Sequence, residues 1–85
     1  DISDLSLKEL NYAKNEIYAR HGRKFKSAEL QEYFDSKSWY EGKYEGTDFD
    51  KNYSDRLLSE IEKKNAEFLS SAEKSMSENG YVLDQ

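Results

Sequence analysis

Between Leu30 and Leu57 the chain contains no aliphatic side chain. Leu, Ile, Val and Phe together make up less than a fifth of the 85 residues, a fraction close to that of disordered chains. The formal net charge of −5 is modest, however, and 14% of the residues are aromatic. We therefore expect a folded domain, but one whose core is closed by aromatic side chains in the middle third of the chain.

Length and composition restrict the class of protein further. A chain of 85 residues is enough for one domain, and its start at Asp1 with Met76 as the single methionine suggests a domain of a longer protein. The absence of cysteine excludes disulfides, thiolate metal sites and cysteine nucleophiles. No apolar run reaches the roughly 18 residues of a membrane-spanning helix. The acidic balance also argues against nucleic-acid binding, which needs a basic surface.

The first predicted helix has clear start and stop signals. Ser6 and Glu9 have the spacing of a capping box, in which each side chain satisfies the other residue's backbone N–H group. Gly22 is a natural helix end because glycine readily adopts the left-handed conformation found there. With no proline anywhere in the chain to interrupt it, helix 1 is predicted over about 7–21.

Two further helices and one long loop complete the predicted fold. Ser27 opens a short helix over about 28–36, whereas residues 37–53 show no helical period. A third helix is predicted over roughly 55–75, because its apolar residues keep a helical spacing. The sequence thus predicts an all-α, three-helix domain over 1–76 with a long aromatic-rich loop between helices 2 and 3, followed by a tail over 77–85 that is either docked or disordered. The apolar residues of helix 3 are Leu57, Leu58, Ile61, Phe68, Leu69, Ala72 and Met76.

Two polar residues fall among the apolar positions of the helices. His21 lies in the last turn of helix 1, and Asn65 lies in the middle of the apolar face of helix 3. A buried polar side chain without a partner costs about 1–3 kcal/mol, so both are predicted to be hydrogen-bonded structural anchors. For His21 the alternative is a general base or a ligand-binding residue in a pocket.

A short basic cluster and an aromatic group are the candidate binding features. The basic cluster has three possible roles: a solvated connector, an anion site, or a surface that receives the acidic second half of the chain. Trp39, Tyr40 and Tyr44 could form a stacking platform for a sugar or a peptide, although we expect Trp39 to pack in the core. The basic cluster comprises Arg20, His21, Arg23, Lys24 and Lys26, and the full candidate ligand-binding set is Asn15, Tyr18, Arg20, His21, Arg23, Trp39 and Tyr40.

No catalytic residue, metal site or cofactor is predicted. Glu16 and Arg20 have the i,i+4 spacing of a surface ion pair, which the long loop could bury if it covered that face. Glu16 as a catalytic acid would need a second carboxylate that the sequence does not place nearby. With one histidine and no cysteine, a zinc site would depend on carboxylates.

The string Asn15-Glu16-Ile17-Tyr18-Ala19-Arg20-His21-Gly22 resembles the YARHG domain, a family named for the residue types found here at positions 18–22. The resemblance covers about 5–69. It implies an extracellular or cell-surface bacterial domain within a longer protein, often attached to membrane-anchored or envelope proteins, with no established biochemical activity. It gives extra weight to Asn15, Tyr18, Arg20, His21, Trp39 and Asn65.

Three hypotheses for function follow. The first is a non-catalytic module that binds a cell-envelope component, such as peptidoglycan or another envelope polymer, or a protein partner, without contacting nucleic acid or inserting into the membrane. The second is a small hydrolase or lyase that uses Glu16 and His21. The third is a structural spacer between neighbouring domains.

Overall fold

The computed structural model describes residues 5–84, and this part of the chain consists of helices joined by loops, without a named strand. The predicted all-α class is confirmed. The predicted domain and tail boundaries also include residues 1–4 and Gln85, which lie outside the described residues. Within 5–84 the helices are α1 (Leu7–Ala19), α2 (Ala28–Asp35), α3 (residues 46–57) and α4 (Glu60–Met76).

Helix α1 begins on the predicted capping box but ends at Ala19, two residues earlier than predicted, and the turn that follows reaches Gly22. The Glu9 backbone N–H donates to Ser6 Oγ at 3.1 Å, and the Ser6 N–H donates to Glu9 Oε1 at 2.9 Å, which completes the capping box. Gly22 has a φ of +96°, a conformation that costs little only for glycine. A Cβ at Gly22 would also lie 3.2 Å from the Cβ of Lys43, so a side chain there would strain the backbone and crowd Lys43.

Among residues 5–84, three phenylalanines, three leucines and two alanines form the buried core, and partly buried tyrosines pack against it. Ala19 of α1, together with Phe25 and two residues of α2, Leu30 and Phe34, forms a buried cluster. Phe25 and Phe34 are stacked with their ring centroids 5.1 Å apart, and Tyr33 meets Phe34 edge-on at 5.0 Å. Such ring pairs add stability beyond the apolar area that they bury.

The predicted long loop is shorter than expected, because its second half forms α3. This helix consists of an α-helical turn over Gly46–Asp48, a π-helical turn over Phe49–Tyr53 and a second α-helical turn over Ser54–Leu57. A π-helical turn does not repeat every 3.6 residues, so the helical period in the sequence does not reveal it. The loop that remains spans residues 36–45.

Helix α4 begins later than predicted. Leu58 is extended, with a ψ of 135°, and it separates α3 from α4. Ser59 then caps α4 in a second capping box, with the Glu62 N–H donating to Ser59 Oγ at 3.1 Å and the Ser59 N–H donating to Glu62 Oε1 at 2.9 Å. The predicted continuous helix over 55–75 is therefore wrong at its start.

The predicted apolar face of α4 points largely to solvent. Ile61 is 72% exposed, Phe68 57% and Met76 55%. Asn65 is exposed as well, so its predicted role as a buried anchor is wrong. The buried residues of α4 are instead Ala66 and Glu73, each 5% exposed. Glu73 can be buried because polar groups on other elements satisfy its carboxylate.

Glu73 is the centre of a hydrogen-bond network that joins three parts of the fold. Its Oε2 accepts from Asn11 Nδ2 at 3.1 Å and from the Tyr81 backbone N–H at 2.8 Å, and its Oε1 accepts from Lys14 Nζ at 3.0 Å. Burial alone would raise the pKa of Glu73, but these donors together hold the pKa below its usual value. The tail contacts the helices through Tyr81 and Asp84, which bind Glu73 of α4 and the start of α2.

We expect Asn11→Ala to lower the free energy of unfolding by about 1–3 kcal/mol, because it leaves the buried carboxylate of Glu73 short of one donor. The matched change Asn65→Ala, at an exposed site, should remain within about 0.5 kcal/mol of the parent chain. Urea unfolding followed by circular dichroism measures both. Equal losses for the two variants would contradict the assignment of Asn11 as the buried anchor.

Candidate functional site

The first two residues of the YARHG motif position the end of α1 in the core. Tyr18 packs edge-on against Phe49 of α3, with ring centroids 6.3 Å apart. Burial, together with the nearby carboxylate of Asp50, raises the pKa of the Tyr18 hydroxyl. Ala19 is 1% exposed within the core cluster, so a larger side chain would overpack this position. The motif thus begins with two residues that pack against the core.

His21 joins the end of α1 to the start of α4. Its Nε2 lies 3.1 Å from Glu62 Oε1 and 3.0 Å from Glu62 Oε2. The Ser59 backbone N–H is the main reason why the pKa of Glu62 is lowered, and the His21 ring adds to the effect. Because Glu62 also belongs to the α4 capping box, His21 occupies an anchoring position between the two helices.

Arg23 connects the turn after α1 to α3. Its Nε and Nη2 donate to the two carboxylate oxygens of Asp50, each at 2.9 Å, in a bidentate pair. Tyr40 is bound to the same residue, since its hydroxyl donates to the Arg23 carbonyl at 2.9 Å. Arg23 and Tyr40 are therefore committed to internal contacts, although both were predicted as ligand-binding candidates.

The acidic second half of the chain receives three of the five residues of the basic cluster. Besides His21–Glu62 and Arg23–Asp50, Lys24 Nζ lies 3.4 Å from Glu45 Oε1. Of the three roles left open by the sequence, the structure favours this internal one. Arg20 differs, because its main contact is with an aromatic ring.

Arg20 and Trp39 form an exposed stacked pair. The guanidinium carbon lies 4.2 Å from the centroid of the indole ring, and the Nε donates to Glu16 Oε2 at 3.0 Å. The side chains of Arg20 and Glu16 are 54% and 39% exposed, so the loop does not bury their ion pair. Trp39 is 36% exposed, so it lies at the rim of the core and not inside it as expected; its ring meets that of the buried Phe34 with centroids 6.1 Å apart.

A shallow groove of about 280 Å³ lies beside this pair, and we call it the Arg20 groove. One wall is the turn after α1 and the other is the loop, which are joined because the Lys43 and Tyr44 N–H groups donate to the Gly22 carbonyl at 2.8 and 3.0 Å. No local sequence signal pairs residues 22 and 43, so Lys43 was not among the predicted site residues. The lining comprises Arg20, His21, Gly22, Glu41, Lys43, Tyr44 and Leu57.

The other predicted ligand-binding residues lie elsewhere. The Asn15 side chain donates to the Asn11 carbonyl at 2.9 Å, and with Arg23 it lines a second groove of about 330 Å³ between α1 and α2. Tyr18 lines a third groove of about 510 Å³ between α1 and α4. The structure therefore brings Arg20, His21 and Trp39 together, but it does not unite the whole predicted set in one site.

The geometry gives no catalytic pair. Glu16 is bound to Arg20, whereas the Nε2 of His21 is bound to Glu62, so the two proposed catalytic groups are held by different partners. Across residues 5–84 there is no group of three or more histidine, cysteine, aspartate or glutamate side chains that could hold a metal ion. The Arg20 groove presents the cationic side chains of Arg20 and Lys43 beside the carboxylate of Glu41 and the ring of Tyr44.

The sequence profile of the YARHG domain matches residues 1–74. The chain therefore belongs to the YARHG domain family, which is regarded as extracellular and has no known function. Comparisons with curated proteins and with solved structures found no match. In the described stretch 5–84, no helix combines the length and apolar character needed to cross a membrane.

Proposed function

We propose that this YARHG domain is a non-catalytic extracellular binding module of a bacterial cell surface. Its ligand is a cell-envelope component that carries carboxylates, such as the peptide stems of peptidoglycan. The observation that carries the proposal is the guanidinium of Arg20, stacked at 4.2 Å on the partly exposed ring of Trp39 beside the Arg20 groove.

This pair suits a carboxylate ligand for two reasons. Stacking on the indole fixes the plane of the guanidinium, which reduces the ordering cost of binding. Glu16 Oε2 is the acceptor found for Arg20 among the described residues, and it takes the Nε–H, so the terminal nitrogens can donate to a ligand. Lys43 lines the same groove and supplies a second positive charge.

The negative net charge of the chain favours ligands with a few isolated carboxylates over extended polyanions. With a formal net charge of −5, the domain repels extended polyanions at long range. A ligand with isolated carboxylates on a peptide or sugar backbone can still enter the Arg20 groove, where Arg20 and Lys43 are local cations. Peptidoglycan peptides are therefore favoured as ligands over nucleic acids.

Titration of the ¹⁵N-labelled domain with soluble muropeptides tests the proposal. We expect chemical shift changes at the indole N–H of Trp39, at the Nε–H of Arg20 and at the backbone of Lys43. Arg20→Ala should weaken binding by about tenfold or more, because charge-assisted hydrogen bonds contribute about 1.5–3 kcal/mol.

Arg56→Ala is the matched control, since Arg56 also lies over an aromatic ring, that of Tyr53 at 5.2 Å, but does not line the Arg20 groove. It should leave binding unchanged. If millimolar muropeptide produced no shifts at Trp39 and Arg20, or if the two arginine variants lost affinity equally, the proposal would be wrong.

A further inference from the structure

We infer that α1, α2 and α4 form a peptide-binding surface that the chain's own tail occupies. This surface, which we call the tail cradle, binds peptide segments with the pattern Gly-Tyr-x-Leu-Asp, as found at residues 80–84. The inference goes beyond the Proposed function and does not depend on the Arg20 groove. It concerns a second site, for a peptide of a partner protein.

The tail cradle first contacts the peptide backbone. The N–H of Tyr81 donates to Glu73 Oε2 at 2.8 Å, and the N–H of Asp84 donates to Glu29 Oε1 at 3.0 Å. Carboxylates that accept main-chain N–H groups hold a peptide segment whatever its side chains are, and charge-assisted bonds of this kind are stronger than neutral ones.

Two side chains of the segment, Tyr81 and Leu83, make specific contacts with the tail cradle. The Tyr81 hydroxyl donates to Glu29 Oε2 at 2.7 Å, and its ring meets Tyr12 edge-on with centroids 6.2 Å apart. Leu83 packs on the core cluster and lies in the groove of about 330 Å³ between α1 and α2. Val82, between them, is 51% exposed, so the middle position of the pattern accepts other residues.

The last residue of the segment binds the start of α2. Asp84 Oδ1 accepts from the Glu29 backbone N–H at 2.8 Å and from Ser27 Oγ at 3.0 Å. Free N–H groups and the helix dipole make this end of α2 attractive to a carboxylate. The start of α2 thus recognises a negatively charged side chain one residue after the leucine.

The first residue of the segment must be small. Gly80 has a φ of +68°, and a Cβ there would lie 2.6 Å from Glu73 Oε2. A side chain at this point would displace the carboxylate that receives the Tyr81 N–H. Backbone conformation and space therefore both restrict this position to glycine.

The family profile includes the residues of the tail cradle but not the segment that occupies it. The family profile covers residues 1–74, which include the cradle residues Tyr12, Glu29 and Glu73, and it ends before the tail. The cradle is therefore part of the YARHG domain itself, whereas the segment that fills it lies outside the matched region. A segment of the same pattern in another protein chain is the partner that fits these contacts.

The experiment uses the full chain with a specific protease site inserted between Glu78 and Asn79, both exposed residues. Cleavage after folding releases the tail, and a fluorescent peptide with the sequence of residues 79–85 is then titrated. We expect saturable one-to-one binding to the cleaved chain and at least tenfold weaker binding to the uncut chain, whose own tail competes at high effective concentration.

Peptide variants test the recognition pattern. Leu83→Ala and Asp84→Asn in the peptide should each weaken binding by about tenfold, whereas Val82→Ala should not change it. Arg20→Ala in the cleaved chain should leave peptide binding intact, so the outcome is distinct from that of the muropeptide titration.

Circular dichroism of the cleaved chain shows whether the helices remain folded after the tail is released. If helix content is retained and the peptide does not bind, the inference is overturned. If helix content falls, added peptide must restore it, and failure to do so also overturns the inference. Equal losses for the Val82→Ala and Leu83→Ala peptides would show binding without the proposed pattern and would overturn it as well.

Discussion

Replacing Glu73 with alanine should lower the free energy of unfolding by about 3 kcal/mol, because it removes the acceptor of a buried network. Asn11, Lys14 and the Tyr81 N–H would all lose their shared partner. The matched control is Glu67→Ala, on the exposed side of the same helix, which should stay within about 0.5 kcal/mol of the parent chain. Urea unfolding at pH 7 measures both changes.

The same carboxylate should make stability depend on pH. Because the pKa of Glu73 in the folded chain lies below its ordinary value of 4.5, the folded state binds this proton less readily than the unfolded state. Its contribution is therefore complete above about pH 5.5 and is lost progressively as the pH falls below 4.5 through the folded-state pKa. Glu73→Gln should flatten the acid side of a stability–pH curve. A curve unchanged by that substitution would contradict the role assigned to the carboxylate.

Phe49→Ala should be the most damaging single truncation on α3, costing about 3–5 kcal/mol. Phe49 has no exposed surface and contacts the rings of Tyr18 and Tyr44. In a domain of this size such a loss approaches the whole stability, so the variant is expected to be largely unfolded at 37 °C.

Phe68→Ala is the matched control for the same chemical change at a site that is 57% exposed. It should change the free energy of unfolding by about 0.5 kcal/mol or less. Thermal melts and urea unfolding compare the two variants directly. A larger loss at Phe68 than at Phe49 would mean that the apolar period of the sequence, and not the packing described above, identifies the core.

The parts of the fold that the sequence predicts correctly depend on contacts between near neighbours. Ser6 and Glu9 determine the start of α1 within one turn, and Ser27 does the same for α2 by accepting from the Leu30 N–H. Gly22 marks the end of the first helical region because the turn requires a positive φ. Such signals act over three or four residues and can be recognised without knowledge of the tertiary structure.

The orientation of α4 could not be predicted in this way. Apolar periodicity places Ile61 and Phe68 inside, but the helix is turned so that Glu73 faces α1. The partners that make this possible are far away along the chain: Asn11 is separated from Glu73 by 62 residues. A charged residue inside a core looks like a surface residue until its partners are known.

The sequence predicts only part of the arrangement at the candidate site. Of the residues that the motif and the aromatic pattern select, Arg20 and His21 line the Arg20 groove, and Trp39 contacts Arg20 beside it. Arg23 and Tyr40 were selected by the same chemistry, yet they bind Asp50 and the Arg23 carbonyl instead. Residue type alone does not separate these cases, because a guanidinium binds a protein carboxylate and a ligand carboxylate equally well.

The docked tail also determines how the domain would respond to mechanical tension at its C-terminal end. Asp84, Leu83 and Tyr81 are attached one after another along the segment, so a pulling force would load and break their contacts in sequence. Fully extended, residues 77–84 span at most about 26–29 Å, which is the upper limit of the reach that the tail supplies before the load passes to α4. We therefore expect the tail contacts to be the first to break under tension.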